Sequence, residues 1–559
     1  MPCRLSAFLL LALVCTAGQR AAASPPLDLS PVPFRPVATA LPPHWQHGAF
    51  MEIFVRGWKD SDGDGIGDLR GLTQTLPHLQ ALGVRGLWLM PIQANADGDH
   101  GYATTDFRAV APDYGSLADL DELLAQARER GIGVIVDFVV IRSAAQHPLF
   151  QEALKGPANP YRAWYVWSEE APQGWDIWGK NPWYHAETQP WLFSGELKDL
   201  PAPAPGARHH YFGTFGPHMP DFNFAHPPVL AYHLDSLRFW MNRGLGGYRL
   251  DAVPHLFEGD AQNWNDPPAS RVLTKRLQDE IKRYPGAYVV CEATSKPAEY
   301  AAPEVCGAAF AFGHTQHYVQ AALGDAASVR ALADFWHSAP PTLATFVSNH
   351  DRFAGDRLWD QLAPLGAERE AAYKAVAATY LLQPGTPFIY YGEDIGQAGL
   401  PGVVGDPALR APMSWTAGPA INDPTAAGFT TGTPFRPLAP NAATHNVAAQ
   451  RADPNSLFNF YKAMLALRNR YPSIARGSYL AGQADGQVLG WQRRLGAEHT
   501  VVVINHGSTV AGTAVPGLPA GATLAQLYPD VDTRIAVDAE GRARVALQPR
   551  GVRVFSVQP

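Results

Sequence analysis

The chain has 559 residues, 46% hydrophobic and 17% charged, which is too apolar for a disordered protein and long enough for two to four domains of about 150 residues. Its formal net charge of −7 comes from 44 Lys and Arg against 51 Asp and Glu. No basic block interrupts the sequence, which excludes nucleic acid as a partner, because nothing would displace counterions along a phosphate backbone.

In chain order, Arg4 precedes an apolar run over 5–15, and Ala21-Ala22-Ala23 follows. A charged start, a short apolar stretch and a small-residue cleavage site predict a signal peptide over 1–23, hence an exported protein. No later segment has the 18 or so unbroken apolar residues of a membrane span. Residues 24–45 form a Pro-rich leader. Strand-like runs follow at 52–55, 86–90 and 133–140, with helical spacing over 69–82 and 117–130. Apolar strands separated by helices predict a parallel sheet covered on both faces.

From 142 to 223 the alternation stops, and Trp, Tyr, Pro, Gly and His dominate. So long an excursion in a compact domain reads as a functional insertion. Its Trp164, Trp167, Trp175 and Trp178 are candidate sugar platforms, although a core role is the commoner fate of a tryptophan. Alternation resumes with a helix near 229–243, strands at 247–250, 288–291, 345–347 and 388–391, and a last helix over 457–468. After 478 the chain changes to short strands, predicting a small antiparallel β-sandwich over 478–559. Repeated βα units suit either an open doubly wound sheet or a closed barrel. The Gly-rich phosphate loop of the open form is absent, so the sequence predicts a closed (β/α)8 barrel over 46–141 and 224–477.

A barrel should carry its polar residues at the C-terminal ends of its strands. Four predicted strands end this way: VIVDFV with Asp137, GYRLDA with Arg249 and Asp251, VVCEAT with Glu292, and FVSNHD with His350 and Asp351. Residues two apart on a strand share a face, so Arg249 sits beside Asp251 and favours its ionised form. A second carboxyl kept protonated would complete the pair used in glycoside hydrolysis.

These motifs, together with EIFVRGWKDSDGDGIGDLRGL, HGYATTDFRAVAPDYG, MPDFN and PGTPFIYYGEDIG, resemble the α-amylase superfamily of glycoside hydrolases. The likeness spans nearly the whole chain and is greatest to the bacterial branch whose insertion ends in MPDLN. It implies a retaining mechanism with Asp251 as nucleophile, Glu292 as acid and base, and Asp351 holding sugar hydroxyls. It also implies substrate binding by Tyr102, Arg249, His255 and His350. The expected substrates are starch-like α-glucans or maltooligosaccharides, acted on by a monomer. An α-glucosidase or transglycosylase, or a non-catalytic glucan-binding relative, remains an alternative. Three positions depart from the family. Ala103 stands where an Asp pairs with an Arg, Ile141 replaces an Asn, and Arg142 replaces a sugar-binding His. If Arg142 points inward, its charge opposes the cationic transition state.

Asp60, Asp62, Asp64 and Asp68 lie at alternate positions with Gly65 sixth, as in the first half of a calcium loop that also uses a backbone carbonyl, here that of Ile66. One structural Ca²⁺ is expected there. Of the four cysteines, Cys3 and Cys15 leave with the signal peptide. A disulfide between Cys291 and Cys306 is chemically allowed outside the cytoplasm, but a free pair is the favoured reading, since Cys291 lies in a predicted strand.

Overall fold

A computed structural model describes residues 27–37, 41–186, 209–417 and 428–559; the predicted signal peptide lies outside them. Eight parallel strands, β1 to β8, form the central sheet: Phe50–Ile53, Gly86–Leu89, Gly133–Phe138, Gly247–Leu250, Tyr288–Cys291, Ala309–Phe310, Leu343–Ala344 and Phe388–Tyr390. Their order is β7-β6-β5-β4-β3-β2-β1-β8. A parallel bridge between Thr345 and Pro387 joins β7 to β8 and closes the ring.

The helices follow sequence rules. Leu69–Leu82 is capped by Asp68, which accepts from the Gly71 amide, and ends on Gly83 at φ 101°. That left-handed turn suits glycine. Leu69, Leu72, Leu76, Leu79 and Leu82 bury one stripe against the barrel. Leu117–Glu129 opens with a Ser116/Asp119 capping box.

Side chains alternate across each strand, and this places the site. Phe50, Trp88, Ile135, Val290, Phe310 and Phe388 point inward and form an apolar plug with Trp45 beneath it. Two residues further along β1 and β3 the same inward face carries Glu52 and Asp137, and Arg249 joins them, in register with both Asp137 and Val290. Met51, Leu87, Val136, Tyr248 and Val289 face the helices. At Gly133 an added Cβ would lie 2.2 Å from the Trp45 ring, so the plug needs glycine there.

Four local expectations change. The strand expected at 345–347 lies earlier, at Leu343–Ala344, with only a bridge at Thr345. The first strand begins earlier, at Phe50, and the chain turns into a short helix, Val55–Trp58, where a strand was expected to continue. The two-residue β6 was not foreseen; it is too short for periodicity to reveal. Cys291 and Cys306 form a disulfide, with Cα atoms 6.3 Å apart. The strand position of Cys291 does not prevent this, because its side chain faces outward among the buried residues behind the sheet, where Cys306 meets it.

Within the excursion, Trp167–Ser168, His210–Phe212 and Trp183–His185 form a small antiparallel sheet. Bridges from Arg142 to Asp221 and from Tyr165 to Phe222 tie its base to the barrel mouth. The leader is pinned to the helix Pro227–Met241, with the Val32 amide on Asp235 and the Arg35 amide on Asn242. Beyond residue 478 a six-stranded antiparallel sheet and a paired strand couple form the C-terminal layer. Val501 and Val503 face that couple, while Val502 and Ile504 face the barrel.

Candidate active site

The C-terminal ends of β3, β4, β5 and β7 deliver their polar residues to one buried cluster. Arg249 is its hub. Its Nη1 lies 2.5 Å from Asp251 Oδ1 and 2.9 Å from Asp137 Oδ1, and its Nη2 lies 2.8 Å from Glu292 Oε2. Asp251 and Glu292 therefore share one guanidinium and are close neighbours, as double displacement requires.

The environments of the two acids push them apart. Burial would raise Asp251, but Arg142 and Arg249 together hold it below the usual carboxylate range. Glu292 is driven by burial up to about 7, against the pull of Arg249 and with help from the charges on Asp251 and Asp351. One carboxylate is thus kept ionised while the other can hold a proton near neutrality, which is the division of labour of a nucleophile and a general acid.

A second chain of contacts supports this pair. His350 lies between Glu52, 2.5 Å from Nδ1, and Asp351, 3.2 Å from Nε2. Burial opposes its charge, yet those two carboxylates raise it to about 10, so it is an imidazolium. It in turn keeps Asp351 ionised despite burial, with Arg410 and Arg249 assisting. Tyr102 stacks on the His350 ring at 5.5 Å and donates its hydroxyl to Asp137 at 2.7 Å. Burial raises Asp137 to about 6, with Arg249 opposing.

His255 stands at the rim, neutral because burial pushes it down to about 4. Its ring stacks on Trp264 and meets Trp178 edge-on. Of the four tryptophans of the excursion, Trp164 is buried, Trp167 stacks on Phe150 and Trp175 packs on Phe212. Only Trp178, at 60% exposure, offers a free face among them.

Three comparisons place this geometry. The family model for the alpha amylase catalytic domain matches residues 52–477, from β1 through the last barrel helix. The chain belongs to the α-amylase family. It is 33% identical over 497 residues to the trehalose synthase/amylase TreS of Mycolicibacterium smegmatis, covering 81% of this chain and 80% of that protein. It is 26% identical to the oligo-1,6-glucosidase of Parageobacillus thermoglucosidasius, covering 92% and 99%. The crystal structure of the α-glucosyl transfer enzyme XgtA superposes with a TM-score of 0.75 at 26% identity, over 92% and 99% of the two chains. Family membership makes the chain a glycosidase with the (β/α)8 architecture.

The family's departures acquire positions. Ala103 packs against Ala144 and Met219. Arg410 Nη1 lies 3.3 Å from Asp99, while its Nη2 lies 3.3 Å from Asp351. Position 103 thus carries no carboxylate, and Asp99 is further paired with Arg436 at 2.8 Å. Ile141 is buried in the core. Arg142 points inward, its Nη1 2.9 Å from Asp251 Oδ2.

Glu52, Asp99 and Arg410 escaped the sequence reading. Glu52 had a findable signal, an acid in an apolar strand; Asp99 and Arg410, 311 residues apart, had none. In the acidic loop, Asp60, Asp62 and Asp68 bring oxygens within 4.8 Å of one another. Asp64 stands outside that group, its carboxylate accepting from the Ile66 amide.

Proposed function

We propose that the protein is an exported, retaining α-glucoside hydrolase and transglycosylase acting as a monomer on short substrates, maltooligosaccharides among them. The observation that carries this is the single guanidinium of Arg249 joining an ionised Asp251 to a Glu292 raised to about 7. In the first step an Asp251 oxygen bonds to the anomeric carbon while the bond to the leaving oxygen breaks, and Glu292 gives that oxygen its proton. In the second, Glu292 takes a proton from water or a sugar hydroxyl, whose oxygen displaces the carboxylate. Asp351, kept ionised by His350, is set to accept sugar hydroxyls, and the Tyr102 ring to face the sugar.

Short α-glucosides are favoured over long starch chains because the relatives named as TreS and oligo-1,6-glucosidase cover most of the chain. Export is supported by the sequence of residues 4–23 and by the Cys291–Cys306 disulfide. One Ca²⁺ is proposed at Asp60, Asp62 and Asp68, with Asp64 and the Ile66 carbonyl completing the set. Among the described residues no Lys or Arg pairs with those three clustered carboxylates, which a divalent cation would neutralise. When bound, it would hold the loop between β1 and its helix and take no part in the chemistry.

The test is one panel: maltose, isomaltose, trehalose, maltoheptaose, soluble starch and an aryl α-glucoside, with products followed over time. Turnover of the aryl glucoside and short sugars, with retention at the anomeric carbon, is expected. Inactivity on every member, or inversion, would overturn the reading. Chelation should lower the unfolding temperature and Ca²⁺ should restore it; an unchanged temperature would remove the metal from the account.

A further inference from the structure

The nucleophile has two cationic neighbours, and they are not equivalent. Arg249 touches Asp251 but also holds Asp137 and Glu292. Arg142 has Asp251 as its one ion-pair partner among the described residues. Its other contacts carry no charge: Nε reaches the Met219 sulfur at 3.3 Å, and the guanidinium lies 3.9 Å from the Phe215 ring centre and 5.7 Å from that of Tyr102. Its side chain is only 5% exposed. The titratable groups around it do not replace Asp251. His100, His218 and His255 are pushed toward the neutral form by burial. Asp221, bridged to Arg142 through the backbone, is raised by burial to about 7 although Thr214, donating at 2.6 Å, and the charge of Arg142 pull it down, and it makes no ion pair with that guanidinium.

Forming the glycosyl ester consumes the charge of Asp251. Arg249 then keeps two carboxyl partners, while Arg142 keeps none. A buried guanidinium stripped of its counter-charge is strongly unfavourable. When the ester breaks, the electron pair of the anomeric C–O bond returns to the Asp251 oxygen and restores the ion pair. We propose that Arg142 is a positioning residue whose ion pair with Asp251 disfavours the covalent glycosyl-enzyme, making its formation the slow step and its breakdown the fast one. The inference rests on the retaining reading given above and concerns the same pocket.

The kinetic test uses aryl α-glucosides whose phenols differ in acidity. In the native protein kcat should depend on the phenol, with no initial burst. Arg142→Gln should produce a burst of about one phenol per site and a kcat insensitive to the phenol, whereas Arg142→Lys should behave as native. The acid limb of kcat/KM should also move to higher pH in Arg142→Gln. Asp251 would then keep only Arg249 against burial and the negative charge of Asp351. A burst in the native protein, or an Arg142→Gln variant with neither burst nor shifted limb, would overturn the proposal.

A second arm needs no turnover. Asp251→Asn removes the same charge as the ester, so it should lower the unfolding temperature by several degrees, and adding Arg142→Gln should recover most of that loss. Additive losses would overturn the pairing on which the proposal depends. Failure of the native protein to cleave any aryl glucoside would instead sink the retaining reading, while the thermal cycle would still judge the ion pair.

Discussion

The two halves of the pocket are built on different terms. The half formed by the ends of β4, β5 and β7 carries Arg249 on β4, Asp251 and Glu292 directly after β4 and β5, and His350 and Asp351 on the segment that follows β7. The half formed by the loops after β2 and β3 carries Asp99, Ala103, Ile141 and Arg142, and here the family's residues have changed. Charge pairing is nonetheless present: Arg410 is almost wholly buried and holds both Asp351 and Asp99, so an acid is required near it. On the strand side, spacing follows from neighbouring strands; on the loop side, it follows from buried ion pairs such as those of Arg410.

The comparison is tested hardest on the strand side. Asp251→Asn should cut aryl α-glucoside turnover by on the order of a thousandfold or more, while circular dichroism stays native. A loss below tenfold would mean that another group attacks the sugar. On the loop side, Asp99→Asn leaves Arg410 with one carboxylate fewer, and Arg436 loses its own partner. The expected cost is about 2 kcal/mol of stability, below the full penalty for a broken buried pair because Asp99 is partly exposed. Activity should also fall, since Arg410 helps to keep Asp351 in place. If Asp99→Asn is neutral in both unfolding and kinetics, the ion pairs of Asp99 are not what maintains this half.

The finest test is pH. Glu292, raised to about 7 by burial, must be protonated to act as the acid, so kcat/KM should fall as pH rises through about 7. Asp251 must be ionised, and because it is held below the ordinary carboxylate value its acid limb should lie below that value. A basic limb well above 7 would show that Glu292 is not the titrating acid. Because the two carboxyls share Arg249, the limbs belong to the pair as a unit.

Much of this was legible in the amino-acid order. Continuous apolar strands with helices between them specify a parallel sheet, since both faces must be covered. Asp251, Glu292 and Asp351 declare themselves by ending such strands. The helix over 69–82 is written in its leucines, its Asp68 cap and its Gly83 stop. The β6 strand was not legible, because two residues have no period. Trp178 could not be told from Trp164, Trp167 and Trp175, which are buried or half-buried, because burial is a property of the packed excursion rather than of the residue type.

The sequence by itself determined the barrel, the family and which acids follow its strands, since each is a local pattern of hydrophobic period and strand-end chemistry. Only the tertiary structure decided that Arg142 faces Asp251, that Arg410 joins Asp99 to Asp351, that His350 is charged between Glu52 and Asp351, and that Cys291 meets Cys306. Electrostatic partnership in a buried pocket depends on distances across the ring of strands, and residues that meet there are separated by tens to hundreds of positions in the chain.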